Sequence, residues 1–271
     1  MNLYANLGEV KRALRIATAT TTHDTYLIEL LEGVSRSVDS WCKRRFYSWS
    51  GDKYFGVVHP SRVVLEDVLS VSAVGVDSEG DGSFDGESWV EGTDYVLMPR
   101  STWPKWWLSV HKGTSKSLFV DRESLKVTGV WGYGDGESAS PWRAAGVTVT
   151  LADTTGTSAT LGTAGVIEAG ETLLVENEQI FVESVSGTTA TVRRGVNGTD
   201  AAAHTAAAAS KAQYPAPVKR FVVSLVSEAY QKRGAQGVRL EMLGTHQIQY
   251  EAIDERVYLR ALGAYRRPVV G

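Results

Sequence analysis

Five carboxylates alternate with small residues at Asp77, Glu79, Asp81, Asp85 and Glu87, around the central Gly82. Oxygen ligands at every second position about a glycine turn are the pattern a hard cation such as calcium takes, with Asp77, Glu79, Asp81 and Asp85 as candidate ligands. The match to a helix-loop-helix calcium site is incomplete, because Ser88 stands where that site places its bidentate glutamate. An acidic, glycine-rich hairpin tip without metal accounts for the same residues and is the reading favoured. No cofactor is expected.

A second group, Lys43-Arg44-Arg45-Phe46-Tyr47, passes from cations to aromatics. Such a group can contact nucleic acid. It equally suits a helix C-terminus whose cations match the dipole and whose aromatic closes the core, and this reading is preferred. Trp103, Trp106, Trp107, Trp131 and Tyr133 can stack on sugars or bases, but tryptophans beside Pro104 and within strands more often close a sheet core or a subunit contact. Gly132-Tyr133-Gly134-Asp135-Gly136 lacks the ending of a phosphate loop and reads as the exit from a strand. Asn197-Gly198-Thr199 has the form of a glycosylation acceptor, and with no secretory pattern in view reads as a turn.

The five histidines, His23, His59, His111, His204 and His246, stand far apart, and none has the i, i+4 helical spacing of a zinc protease. Cys42, the single cysteine, is expected in the core beside Trp41. No nucleophile elbow or Walker motif occurs, so an enzyme is not expected.

The elements that must position these residues begin with helices. Asn6-Leu7-Gly8-Glu9 resembles an N-cap with its reciprocal acid, opening a helix that ends near Ile16. Asp24 is placed to cap a second, with Leu27, Leu30, Leu31, Val34, Val38 and Trp41 on one stripe. The strongest helical signal is residues 215–234, where Val218, Phe221, Val222 and Leu225 repeat at helical spacing, Pro217 falls in the first turn and Gly234 stops the run. Packing of this helix on residues 24–43 is the expected core. From Lys53 the period becomes extended, with short runs at 53–58, 62–65, 71–76, 95–98, 106–110 and 126–131 separated by Gly, Pro, Asp or Ser.

Residues 147–209 are rich in Thr, Ala, Gly and Val, with extended runs at 147–151, 172–175, 179–184 and 189–193, and weak signals over 201–209. They read as a small β-barrel-like domain inserted over 137–213, the main domain being built from 1–136 and 214–271. The fold class expected is α+β: mainly a helical bundle core, with a small antiparallel sheet or hairpin region and the inserted all-β module. A last helix over 253–262 and a basic tail are expected to dock on a partner through Val257, Leu259, Leu262, Tyr265, Arg266 and Arg267.

Composition is that of a folded protein of 271 residues, 43% hydrophobic and 22% charged, with no apolar run that would span a membrane and no signal-peptide pattern. The net charge of −3 conceals a division. Residues 51–100 carry ten acids and three bases, and residues 214–271 five acids and nine bases. Such segregation suits side-by-side association of subunits.

The order of these parts resembles the head–tail connector, or head-completion adaptor, family of long-tailed bacteriophages. The resemblance is carried by YANLGEVKRALRI, VDSWCKRRFYSW, VLSVSAVGVDSEGDGSFDG followed by TDYVLMP, LKVTGVWGYGDG, APVKRFVVSLVSEAYQKRG and the terminal YLRALGAYRRPVVG. These cover most of the chain outside about residues 137–213, and the insert ETLLVENEQIFVESVSGTTATVRRGVNGTDAAAH departs from shorter members while resembling small β modules of phage structural proteins. What the resemblance implies is a structural virion protein assembled in the host cytoplasm and held in the phage neck. It would form a homo-oligomeric ring of about twelve copies beneath the portal protein, meet a tail-side neck or tail-terminator protein, and let phage DNA pass without sequence-specific binding. A carbohydrate- or nucleic-acid-binding module using the β insert and the tryptophans is the alternative.

Overall fold

Asn6 Oδ1 accepts the backbone N–H of Glu9 at 2.8 Å, and Glu9 Oε2 accepts that of Asn6 at 3.0 Å. This reciprocal cap starts α1 (Leu7–Leu14), as its sequence predicts. The second helix, α2 (Asp24–Cys42), takes Asp24 as its first helical residue and not as its cap. The Asp24 carboxylate instead receives Lys11 Nζ at 2.8 Å, tying α1 to α2. The third, α3 (Ala216–Gln231), carries Pro217 in its first turn, where a missing N–H costs nothing. Its Val218, Phe221, Val222, Val226 and Tyr230 are buried against Leu27, Leu31, Val38 and Cys42 of α2, while Leu225 is half-buried at the edge. Burial lifts the Cys42 thiol to about 11, as suits a core residue and not a nucleophile.

The computed structural model describes residues 2–84, 86, 88–234, 240–243, 246–249, 260 and 262–267. Five strands form one antiparallel sheet: β1 (Trp49–Phe55), β2 (Arg62–Val76), β3 (Tyr95–Met98), β4 (Lys105–Val110) and β5 (Leu125–Trp131), in the order β1-β5-β2-β4-β3. The runs expected at 62–65 and 71–76 are one strand. Register shifts between Val64 and Val68 and between Val68 and Ser70 let β2 leave β4 and continue along β5. Val63, Leu65, Val68, Leu108, Leu125, Val127 and Trp131 fill its core.

Six further strands close into a barrel: β6 (Trp142–Leu151), β7 (Ser158–Leu161), β8 (Thr172–Val175), β9 (Glu178–Ser186), β10 (Thr189–Arg193) and β11 (His204–Ala212), ordered β10-β7-β6-β11-β8-β9. Its interior is lined by small and branched residues such as Val149, Leu161, Leu173, Ile180, Val192 and Ala209. The barrel is not held at a distance. Leu7 N donates to Ala169 O at 3.0 Å, and Phe181 and Val196 are buried in the same apolar cluster as α1, α2 and α3. A separate hairpin pairs β12 (Leu240–Leu243) with β13 (His246–Gln249).

The helical-bundle class expected from sequence is therefore corrected. The described residues are mostly β, with 34% strand against 22% helix, and hold three α-helices beside a closed six-stranded barrel and a five-stranded sheet. Two long amphipathic stripes make the loudest periodic signal, whereas short strands rich in Gly, Ser and Ala spread theirs thinly. The helices bury their apolar faces mainly against one another and the N-terminal segment, with Phe181 the strand residue wholly enclosed in that cluster. The helix expected at 253–262 lies outside the described residues apart from Arg260 and Leu262.

Candidate assembly surface

Helix α2 ends with Lys43 in the left-handed conformation (φ 54°), which turns the chain so that Phe46 is wholly buried while Lys43 and Arg45 remain exposed. The turn carries these cations to the start of β1. There they border a cleft of about 760 Å³ that also takes in Arg36, Arg44, Tyr47, Trp49, Lys53, Trp131 and Arg267. Gly132 permits the closure of its floor: it holds φ 124°, and a Cβ there would stand 2.2 Å from the Tyr47 carbonyl oxygen.

Six cations and three carboxylates, Asp39, Glu66 and Asp67, line this cleft. Arg36 bonds Asp39 at 2.7 Å and gives Nη2–H to the Asn2 carbonyl at 2.6 Å. Tyr4 Oη–H donates to Asp39 and in turn accepts the Phe46 N–H at 3.1 Å. Burial raises the Asp39 carboxyl to about 6 against the opposing pull of Arg36 and Tyr4. Arg44 Nε stands 3.4 Å from Asp67 Oδ2, a charge contact without hydrogen-bond geometry, and its guanidinium lies 4.7 Å over Tyr133. Lys53 pairs with Glu66, and its ammonium sits 5.0 Å over Trp49 and 5.1 Å over Trp131. Burial lowers the Lys53 pKa. The result is a rigid, aromatic-backed, net positive concavity suited to an anion.

The opposite end of the same ladder is acidic. Trp131 pairs with Trp49 and Val68 at the cleft, whereas Leu125 pairs with Phe55 and Val76 at the far end. Asp77 follows directly, joined by its N–H to Ser124 O at 2.9 Å. Glu79, Asp81, Asp121 and Glu123 are exposed at that end, with Arg122 among them. Of the calcium-loop candidates, Asp77 accepts the N–H groups of Gly80 at 2.7 Å, Gly82 at 2.9 Å and Asp81 at 3.3 Å. Burial would raise its carboxyl, but these bonds outweigh it and hold the group below its usual range. Among the described residues no cluster of three metal-ligating side chains occurs, and Asp85 lies outside them.

The tail candidates divide. Leu262 is wholly buried in the helical core, Tyr265 packs 6.1 Å from Phe46 and 5.8 Å from Tyr133, and Arg267 donates to Cys42 O at 2.9 Å and Leu65 O at 2.6 Å. All three make contacts within their own chain; Leu262 is enclosed in the core, whereas Tyr265 and Arg267 stay half-buried. Arg266 stays exposed, 5.5 Å over Trp41, and Val257 and Leu259 lie outside the described residues. The tryptophans do not form one row. Trp131 is in the sheet core, Trp103 stacks on Lys105 at 3.9 Å, and only Trp106 of the five aromatics is exposed, at 39%.

Sequence reading misses Arg36 and Lys53, whose approach to Arg45 is made by the fold. It also misses a buried network in the barrel, where Arg194 bonds Glu178 at 2.7 and 2.8 Å while His204 Nε2 lies 2.8 Å from the same carboxylate. The Gly195 and Ala202 N–H groups complete its shell. Burial would raise Glu178, but these partners prevail and hold it at about 2. The site is saturated by its own chain and ties the strand β9 to the loop before β11. No protein family, curated protein or solved structure matches the chain.

Proposed function

We propose that the chain is a structural virion protein: a head-to-tail adaptor that assembles with its own copies into a ring beneath a phage portal, in the neck, and forms part of the DNA channel. The observation that carries this reading is the placement of a net positive cleft and an acidic crown at opposite ends of one β ladder. Two different, complementary faces on one chain are what a heterologous contact needs, and heterologous contacts close into rings when the rotation allows. The neck, the portal and a tail-side protein as partners come from the resemblance of the chain's segment order to that of connector proteins. A channel protein of net charge −3 per copy would also let DNA slide without gripping it.

The test is mass measurement of the purified full chain together with electron microscopy, and addition of the chain to portal-bearing, DNA-filled capsids. Rings, and density below the portal, are expected. A chain that stays monomeric and joins no capsid overturns the proposal.

A further inference from the structure

The cleft and the crown have a more specific relation than opposite charge. Trp49 and Phe55 end the same strand, so six residues at about 3.4 Å each put the two sites about 20 Å apart on a rigid, fully paired ladder. Of the six cleft cations, Arg36, Arg44, Lys53 and Arg267 are already engaged by carboxylates or carbonyls of their own chain. Lys43 and Arg45 are not. Both are exposed, and neither makes an ion pair among the described residues; Arg45 leans over Trp49 at 6.0 Å and feels the Asp39 charge from beyond ion-pair distance. At the far end, the Glu79 and Glu123 side chains are exposed and likewise make no ion pair among the described residues.

We propose that the cleft at Lys43 and Arg45 is the socket for the acidic crown of a second copy of this chain, with Glu79 and Glu123 as the charges it receives. This rests on the self-assembly reading above and names its contact. Each copy then offers one socket and one plug. The engaged cations set a positive field whose carboxylates are already committed, and Trp49 walls the entrance, so an incoming carboxylate meets cations whose desolvation is partly complete. A plug and socket on different ends of one ladder cannot satisfy each other within a chain, because the ladder holds them apart. The contact must be made between copies, head to tail.

Charge reversal reads this directly. Sedimentation velocity at low and high salt is run on the full chain, on K43E/R45E, on E79K/E123K and on their equimolar mixture, with circular dichroism melts to show that each is folded. The wild type assembles, and salt weakens it. Each variant alone presents like charges at the contact and associates about tenfold or more weakly. The mixture assembles again, because the acidic socket of one variant accepts the basic plug of the other. Should K43E/R45E fail to fold, K43Q/R45Q replaces it and is expected to weaken assembly and, mixed with E79K/E123K, to recover only as pairs, through its own unaltered plug and the other variant's unaltered socket. Assemblies that survive both reversals overturn the socket while leaving the ring-forming reading intact. So does a mixture that stays dissociated. A folded wild type that is monomeric, and whose cleft instead binds a fluorescent single-stranded oligonucleotide in a manner lost in K43E/R45E, overturns it in favour of a nucleic-acid ligand. A monomeric chain that also joins no portal-bearing capsid overturns the socket and the adaptor reading together.

Discussion

The Gly198 backbone lies so close to Ser50 that a Cβ on Gly198 would stand 2.0 Å from the Ser50 carbonyl oxygen. Gly198 closes the one-turn 3-10 helix Val196–Gly198 of the barrel region, and Ser50 belongs to β1 of the sheet. The two β units therefore touch backbone to backbone, at a residue that also holds φ 77°. Gly198→Ala should cost about 2–4 kcal/mol, from the left-handed conformation and the overlap together. A shift of the urea midpoint without a change in m would show it, and an unchanged midpoint would mean the units do not meet there.

The barrel, though inserted in sequence, should not be removable. Phe181 and Val196 are buried among the helices, and Asn2 bonds Asn197 while Asn6 bonds Glu171 at 2.9 Å. Replacing residues 142–212 by a Gly/Ser linker strips these partners from Leu3, Tyr4 and Leu7 and bares a large apolar patch. The expected product is insoluble, or binds a hydrophobic dye and lacks a cooperative melt. A soluble, cooperatively melting remainder would show that the barrel is accessory.

What sequence makes legible here is what is local. The α1 cap needs only Asn6 and Glu9 three residues apart, and the α3 stripe needs only its own sixteen residues. Strand β11 hides because HTAAAASKA has small, weakly β-forming side chains; it is extended because β6 and β8 flank it on either side. The acidic crown is visible as composition. The cleft is not, because Arg36 on a helix, Lys53 on a strand and Arg267 in the tail share no spacing, and only tertiary folding makes them neighbours.

Within the helical core the two valine and leucine positions of α3 should separate. Val222 is wholly buried and Leu225 is half-buried. Val222→Ala should cost roughly 1.5–3 kcal/mol despite removing fewer atoms, and Leu225→Ala less than that. Parallel urea titrations decide it, and a larger loss at Leu225 would place the centre of the core on the wrong side of α3.

Acid should unfold the protein partly through Glu178. Its carboxyl is held at about 2 against an ordinary 4.5, so the folded state resists protonation that the unfolded chain accepts. Stability from this group is complete above about 4.5 and is lost as pH falls from there toward about 2. Asp39, raised to about 6, acts with the opposite sign: its contribution is lost as pH rises from about 4 through 6. Glu178→Gln should cost about 3–5 kcal/mol at neutral pH, since Arg194 would remain buried without its carboxylate, and should flatten the acid limb of the stability curve. Asp39→Asn should flatten the decline between about pH 4 and 6. Unfolding curves at several pH values check both, and an acid limb unchanged in Glu178→Gln would assign it to other carboxylates.

The C-terminal segment, finally, should stabilise the subunit before it does anything for an assembly. Tyr265 completes an aromatic group with Phe46 and Tyr133, and Phe46 is the residue that seals the end of α2. Arg267 then bridges α2 to β2 through the carbonyls of Cys42 and Leu65, which would otherwise lose a partner in a partly buried place. Truncation after Gly263 removes both contacts and should cost at least about 2 kcal/mol, lowering Tm by more than about 4 °C for a chain of this size. The double variant Tyr265→Ala/Arg267→Ala should reproduce part of that loss in the full-length chain, since the Arg267 backbone N–H keeps its bond to Cys42 O, whereas Arg266→Ala, on an exposed cation stacked over Trp41, should cost less than about 1 kcal/mol. If truncation leaves Tm where it was while Arg266→Ala abolishes addition to portal-bearing capsids, the segment is a docking arm and not a seal. Loss of Tm in the first two variants, with capsid addition intact in the third, shows that its aromatic and charged residues are spent inside the subunit.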